Sequence, residues 1–248
     1  VDLNPKNASK ALELGLIDKI ESEDKALASA DVVIVAIPVS ALCALLPSVL
    51  DLIGKHTIVI DAGSTKTQIS KTVSGHERRR QFVAAHPLAG TENSGPEAAL
   101  DGLFTGKTII ICEQDKSSTE ALAIAGKIFN ALEMKTIFME ADEHDKHVAY
   151  VSHLSHVSSF LLGQTVLDIE KDEKNIFDLA STGFASTVRL AKSSPDMWAP
   201  IFEQNVEYLS QALLEYIMHL QKFHYHLMKH DTKELHRIMS RANEIRRV

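Results

Sequence analysis

Two cysteines, one tryptophan and no apolar run of about 18 residues set the first limits on this chain of 248 residues. Cys43 and Cys112 lie in apolar segments without CxxC spacing, which predicts free thiols in a reducing compartment rather than a disulfide or a metal knuckle. No basic-then-apolar leader opens the sequence, and with no long apolar run the expectation is a cytoplasmic protein that does not cross a membrane. Positive charge is also short: 26 Lys and Arg stand against 33 Asp and Glu, a net charge of -7. That balance argues against a nucleic acid or an anionic membrane as partner. The cluster Arg78-Arg79-Arg80 is too short to overturn it and reads as a solvated turn. Among the 11 glycines no GxGxxG occurs.

What is present is a change of pattern near residue 140. Before it, apolar β-branched runs alternate with helical stretches. The runs are Val32 to Ile37 (closed by Pro38), Thr57 to Asp61, Phe82 to Ala85, Lys107 to Cys112 and Thr136 to Met139. Helices are expected from Pro5 to Leu14 (stopped at Gly15), from Ser40 to Ile53 and from Ser118 to Leu132. Runs of this kind between helices predict a parallel sheet covered on both faces. After residue 140 the strand signal is gone. Helical patterns cover Glu143 to Ile169, Ile176 to Leu179, Ser186 to Lys192, Pro195 to Lys229 and Thr232 to Arg247. The expected division is an α/β domain over 1–139 and an all-helical domain over 140–248.

Three features carry chemistry. His86 follows the Phe82–Ala85 run and begins a shaped loop, His86-Pro87-Leu88-Ala89-Gly90-Thr91-Glu92-Asn93-Ser94-Gly95. The carboxyl end of a strand is where α/β sheets place their ligands, while the bland alternative is a turn with an incidental histidine. Asp145, Ala149, Ser152 and His156 recur at i, i+4, i+7 and i+11 and so share one helix face, with His153 about 100° round from Ser152. Such a face fits a polar site or equally a packing stripe. Arg189, alone between Arg80 and Arg237, sits in an otherwise uncharged segment and suggests bidentate capture of a carboxylate, against the alternative of an ordinary ion pair. Trp198 follows as a pocket wall or a core anchor. His219, His226 and His230 could share a helix face, but no HExxH or Cys/His spacing accompanies them, so no metal is expected.

Taken in order, these residues resemble the prephenate/arogenate dehydrogenases of tyrosine biosynthesis. The matching pieces are Val1-Asp2-Leu3-Asn4-Pro5 with Leu14-Gly15, then Gly63-Ser64-Thr65-Lys66, the His86–Gly95 loop, His144-Asp145, Ser152-His153-Leu154-Ser155-His156, and Gly183-Phe184 through Arg189 to Pro195 and Trp198. The resemblance implies a Rossmann-like domain, here without its first strand and Gly-rich turn, followed by an all-α dimerisation domain. It implies NAD-dependent oxidative decarboxylation of prephenate to 4-hydroxyphenylpyruvate by a homodimer. His86 and Ser64 would be catalytic. Ser152, His153, His156, Arg189, Trp198 and Glu92 would bind substrate. Asp2, Ala36, Ile37, Pro38, Ala62, Ser64 and Thr91 would meet the cofactor, Asp2 favouring NAD because an acid repels a 2′-phosphate. Arogenate is the alternative substrate, with Asp145 positioned to meet its amine. A reductase of β-hydroxyacids or pyrroline carboxylate, and a truncated non-catalytic dimer that binds the aromatic product, are the rival readings.

Overall fold

The computed structural model describes residues 1–171 and 176–247. Helix α1 (Pro5–Glu13) begins where the Asn4 side chain accepts the Lys6 N–H and Pro5 presets the first turn. It ends before Gly15, whose φ of 70° is the left-handed conformation that glycine adopts freely. A short helix α2 (Glu23–Ser29) buries only Leu27 and leads into strand β1 (Val32–Val35). Helix α3 (Val39–Leu52) then crosses to strand β2 (Ile58–Asp61), and helix α4 (Thr67–Thr72) crosses to strand β3 (Phe82–Pro87). Strand β4 (Thr108–Cys112), helix α5 (Thr119–Ala131) and strand β5 (Lys135–Met139) complete a five-stranded sheet in the order β1-β2-β3-β4-β5.

The sheet departs from the all-parallel expectation at one place. β1 with β2, β2 with β3 and β4 with β5 are parallel, but β4 runs antiparallel to β3, with His86 opposite Ile110. The connection from β3 to β4 explains this. A parallel return needs a crossover, usually a helix, whereas residues 88–107 contain only the 3-10 turn Pro96–Ala98.

Alternation along the strands builds two cores. Val59, Phe82, Ala84, Ile110 and Cys112 face the side covered by α3, where Leu42, Leu46 and Leu50 are fully buried. Ile58, Ile60, Val83, Ala85, Ile109 and Ile111 face the other side and pack on Ala121, Ala125 and Phe129 of α5. Each fully buried leucine of α3 contributes roughly 1.5–3 kcal/mol through its removal from water.

From Ala141 onward every described element is helical. Helix α6 (Ala141–Val148) passes through a π-helical turn, Ala149–His153, into helix α7 (Leu154–Glu170). Helix α8 (Thr182–Thr187), a 3-10 turn at Arg189–Lys192, helix α9 (Pro195–Gln204), helix α10 (Val206–Met228) and helix α11 (Thr232–Ala242) follow. The stretch 195–229, expected as one helix, is broken at Asn205, whose side chain is drawn inward to donate to the Asp145 carbonyl oxygen at 2.7 Å. Trp198 and Ile201 of α9 belong to the same core as α3, so the helical part rests on that face of the sheet.

Candidate active site

Strand parity decides where the central histidine points. His86 shares its face with Phe82 and Ala84, the face on which the helical part lies. It is 8% exposed, and its Nδ1 lies 2.8 Å from Nε2 of His144 on α6. His144 is fully buried, and its Nδ1 lies 2.8 Å from Oδ1 of Asp145. Asp145 in turn accepts the backbone N–H groups of Lys66 and Thr67, each at 2.8 Å. The histidine at the end of β3 is thereby linked, through α6, to the turn that follows β2.

That turn is held from a second side. Lys66 and Asp61, both without exposure, form an ion pair, and the Lys66 ammonium also donates to the Ala85 carbonyl oxygen at 2.6 Å. Asp61 accepts the Gly63 N–H through Oδ2 and the Ala85 N–H through Oδ1, each at 2.9 Å. A buried ion pair needs further hydrogen bonds to offset its desolvation, and here Asp61 takes two backbone N–H groups and Lys66 gives one N–H to a carbonyl. Gly63 is required by close approach: a Cβ there would come within 2.7 Å of Ile69 Cδ1 and 3.0 Å of Asp61 Oδ2. Thr65 donates to Gln204 of α9 at 2.6 Å. Ser64, half-buried, thus sits on a turn fixed beside the end of β3.

Burial and charge set the protonation of the cluster. Burial, reinforced by His144, Lys66 and His153, pushes His86 well below the ordinary histidine range, so it is neutral near pH 7. Burial also lowers His144, although Asp145 opposes the shift. For Asp145 burial works to raise the pKa, but the hydrogen bonds from His144 and Thr67 outweigh it and keep the carboxylate ionised.

The π-helical turn splits the face expected from Asp145 to His156. Asp145 and Ala149 are buried, whereas Ser152 and His156 are half-buried. A π turn inserts one residue into the helix and re-aims everything after it. His156 stacks on Trp198 with ring centroids 3.5 Å apart, and burial lowers its pKa. His153 is closed to solvent: it is 1% exposed, accepts from Asn205 at 3.1 Å and meets Trp198 edge-on. Its expected substrate contact is corrected to a supporting place behind His156 and Trp198, and burial brings its pKa to about 4. Asp145 is likewise corrected. It is 2% exposed and engaged by His144, Lys66 and Thr67, and so is closed to a substrate amine.

Arg189 stands on its 3-10 turn with half its side chain exposed and donates through Nη1 to Glu92 at 3.0 Å, joining the His86 loop to the helical part. The backbone N–H of Glu92 itself and the Arg189 guanidinium hold that carboxyl below its usual range. Gly95 closes the loop with φ 84°, whereas Gly90 needs no such conformation.

The expected cofactor residues lie at the carboxyl edge of the sheet. Ala36, Ile37 and Pro38 are exposed after β1, Ala62 and Ser64 half-buried after β2, and Thr91 half-buried in the loop. Asp2 ends no strand, since residues 1–3 are irregular. Its Oδ1 accepts the Asn4 N–H at 2.7 Å ahead of α1. Asp2, Ala36, Gly95 and Pro96 share one cleft of about 420 Å³. An exposed carboxylate in a cleft at this edge fits the ribose of a dinucleotide. Elsewhere, His226 pairs with Asp231 at 3.2 Å, and among the described residues no group of three or more His, Cys, Asp and Glu is placed to hold a metal. Again among the described residues, no helix is long and apolar enough to cross a membrane.

The sequence reading singled out His86 and Arg189 but not the Asp61–Lys66 pair or the positioning part of His144 and Asp145. The available signals were an acid closing an otherwise apolar strand, Ile58-Val59-Ile60-Asp61, and a lysine five residues later.

The fold and the site define a two-part dehydrogenase. Residues 1–138 match the family model described as prephenate dehydrogenase, nucleotide-binding domain, and residues 140–241 match prephenate dehydrogenase, dimerization domain. The chain belongs to the prephenate dehydrogenase family. A cyclohexadienyl dehydrogenase of Zymomonas mobilis is 29% identical over 88% of this chain and 74% of its own length. A prephenate dehydrogenase of Bacillus subtilis is 29% identical over 99% of this chain and 67% of its own length. Among solved structures, the prephenate dehydrogenase from A. aeolicus in complex with hydroxyphenyl propionate and NAD+ is 28% identical. It superposes with a TM-score of 0.86 over 99% of this chain and 86% of that one.

Proposed function

We propose that this chain catalyses the NAD-dependent oxidative decarboxylation of prephenate to 4-hydroxyphenylpyruvate, with residues 1–139 binding the cofactor and 140–248 completing the substrate site. One observation carries the reading: a neutral, buried histidine stands at the carboxyl edge of the nucleotide-binding sheet, and the helical part lies against it.

When bound, NAD would supply the acceptor for the hydride of the ring carbon that bears the hydroxyl. His86 takes the hydroxyl proton at Nε2, the ring nitrogen turned away from His144. Loss of the ring carboxylate as carbon dioxide supplies the electron pair that completes the aromatic ring, and the resulting phenolate oxygen takes the proton back from His86. Ser64, on the turn pinned by Asp61, Lys66 and Asp145, donates to the reacting oxygen. Arg189 holds the ring carboxylate and Glu92 orients its guanidinium. Ser152, His156 and Trp198 form the wall for the pyruvyl side chain, with His153 behind them. Asp2 would hold the adenosine ribose, with Ala36, Ile37 and Pro38 along the same edge, and Ala62 and Thr91 would hold the nicotinamide end. Asp145, the acid of α6 expected to meet the amine of arogenate, is closed to solvent, which favours prephenate.

Pairing of two copies rests on the helical part. Leu214, Met218, Tyr225 and Met228 form an exposed apolar stripe along α10, the kind of face a second chain covers. In a cytoplasmic reducing medium Cys43 and Cys112 stay free, as they are here.

Initial rates of nicotinamide reduction, measured with prephenate or arogenate and with NAD or NADP, test the reading. The pair of prephenate and NAD is expected to be fastest. A higher kcat/KM with arogenate or with NADP would overturn the assignment of substrate or cofactor.

A further inference from the structure

The contact between His86 and His144 joins two ring nitrogens, and such a contact needs one hydrogen. Asp145 decides which ring supplies it. Its carboxylate is an acceptor only, and it already accepts from the Lys66 and Thr67 backbones. The group facing it at 2.8 Å, Nδ1 of His144, therefore carries a proton. A neutral His144 protonated on Nδ1 has a bare Nε2, which can only accept. The hydrogen between the two rings then belongs to Nδ1 of His86, and Nε2 of His86 is left with its lone pair.

We infer that His144 and Asp145 are positioning residues that fix the tautomer of His86, holding its proton on Nδ1 so that Nε2 is free to act as base. This rests on the reading of His86 as base. An unconstrained imidazole prefers its proton on Nε2, the tautomer in which His86 could not take a proton from substrate. The hydrogen bond on one ring nitrogen selects the state of the other. Once Nε2 has taken the hydroxyl proton, Nδ1–H donates as a charge-assisted hydrogen bond to His144, and His144 to Asp145, so the new charge is met without rearrangement of the site. The Asp145 backbone contacts add a second consequence. The same carboxylate that sets the His86 tautomer also sets the turn carrying Ser64, so base and donor are registered to one group.

Two measurements test this. Histidine 15N NMR of the wild-type protein reads the tautomer directly, and His86 is expected to carry its proton on Nδ1, with the resonance assigned by its loss in His86→Asn. A proton on Nε2 of His86 at neutral pH would overturn the inference. In kinetics, His144→Phe keeps a ring but removes the acceptor. It is expected to lower kcat about a hundredfold with KM for prephenate changed less than about threefold. His144→Gln, which restores an acceptor near the same place, is expected to recover part of that loss. A kcat for His144→Phe within about threefold of wild type would contradict the inference, and so would an equally inactive His144→Gln in a folded protein. The underlying reading is tested separately. If His86→Asn retains turnover, His86 is not the base; if it is inactive while His144→Phe is normal, only the tautomer relay fails. Should His144→Phe not fold, the wild-type spectrum still decides.

Discussion

A buried histidine works as a base only if it stays neutral and keeps one nitrogen bare, and both conditions are met at His86 by its neighbours. Desolvation keeps it uncharged, and the His144–Asp145 pair engages Nδ1. The guanidinium of Arg189 is the complementary feature, a fixed cation with half its surface open. Arg189→Ala is expected to raise KM for prephenate about tenfold to a hundredfold, with less effect on kcat, the scale of a lost hydrogen bond to a charged group. An unchanged KM in steady-state kinetics would assign Arg189 to its ion pair with Glu92 alone. At this scale the sequence displayed the residues that are chemically unusual where they stand. It did not display their partners: His86 and His144 are 58 positions apart, and Asp145 and Lys66 are 79 apart. Those pairings exist only once β3, α6 and the turn after β2 are packed together. His153 was misplaced for the same reason, since its position behind Trp198 depends on Asn205 reaching in from a break between two helices.

At the scale of elements, α3 links the stability of the sheet to the geometry of the site. Leu42 is fully buried, and its Cδ2 lies 3.1 Å from where a Cβ of Gly63 would stand, so it packs under the turn that carries Ser64. Leu42→Ala should destabilise the protein by about 2–5 kcal/mol, read as a lower urea midpoint with little change in slope. A loss below about 1 kcal/mol would mean that the turn closes over the cavity. The runs that became β2, β3 and β4 were legible because strands buried on both faces are continuously apolar, those of β1 and β5 because they are short apolar runs even where they are more exposed, and α1, α3 and α5 because their stops and caps are local. Helices α2 and α4 were not, being 7 and 6 residues long with one and two buried positions, too few for a periodic signal. The antiparallel direction of β4 was hidden because direction follows from the connection, and the 88–107 segment holds no crossover helix to mark it. The π turn at Ala149–His153 is equally silent in a pattern read at a fixed helical period.

For the molecule as a whole, the buried histidines couple folding to pH. His86, His144, His153 and His156 all have folded-state pKa values below the ordinary one because burial disfavours the imidazolium form. Unfolded, they titrate near pH 6.5. Between that value and the lower folded values the unfolded chain binds more protons, so stability increases with pH through this window. It is complete above about pH 6.5 and is lost as the pH falls toward about 4, the value for His153, with that residue alone accounting for up to about 3 kcal/mol. Urea unfolding at about pH 7.5 and about pH 5 should show a clearly lower midpoint in acid. An equal or higher midpoint in acid would show that these rings are charged in the folded protein.

The proposed role of His86 as the base of a prephenate dehydrogenase site is best tested by steady-state kinetics of His86→Asn with NAD and prephenate. As base, His86 gives an expected fall in kcat of about a hundredfold or more in this variant, with KM for prephenate and the folded state largely preserved. Turnover within a few-fold of wild type in the folded variant would contradict it.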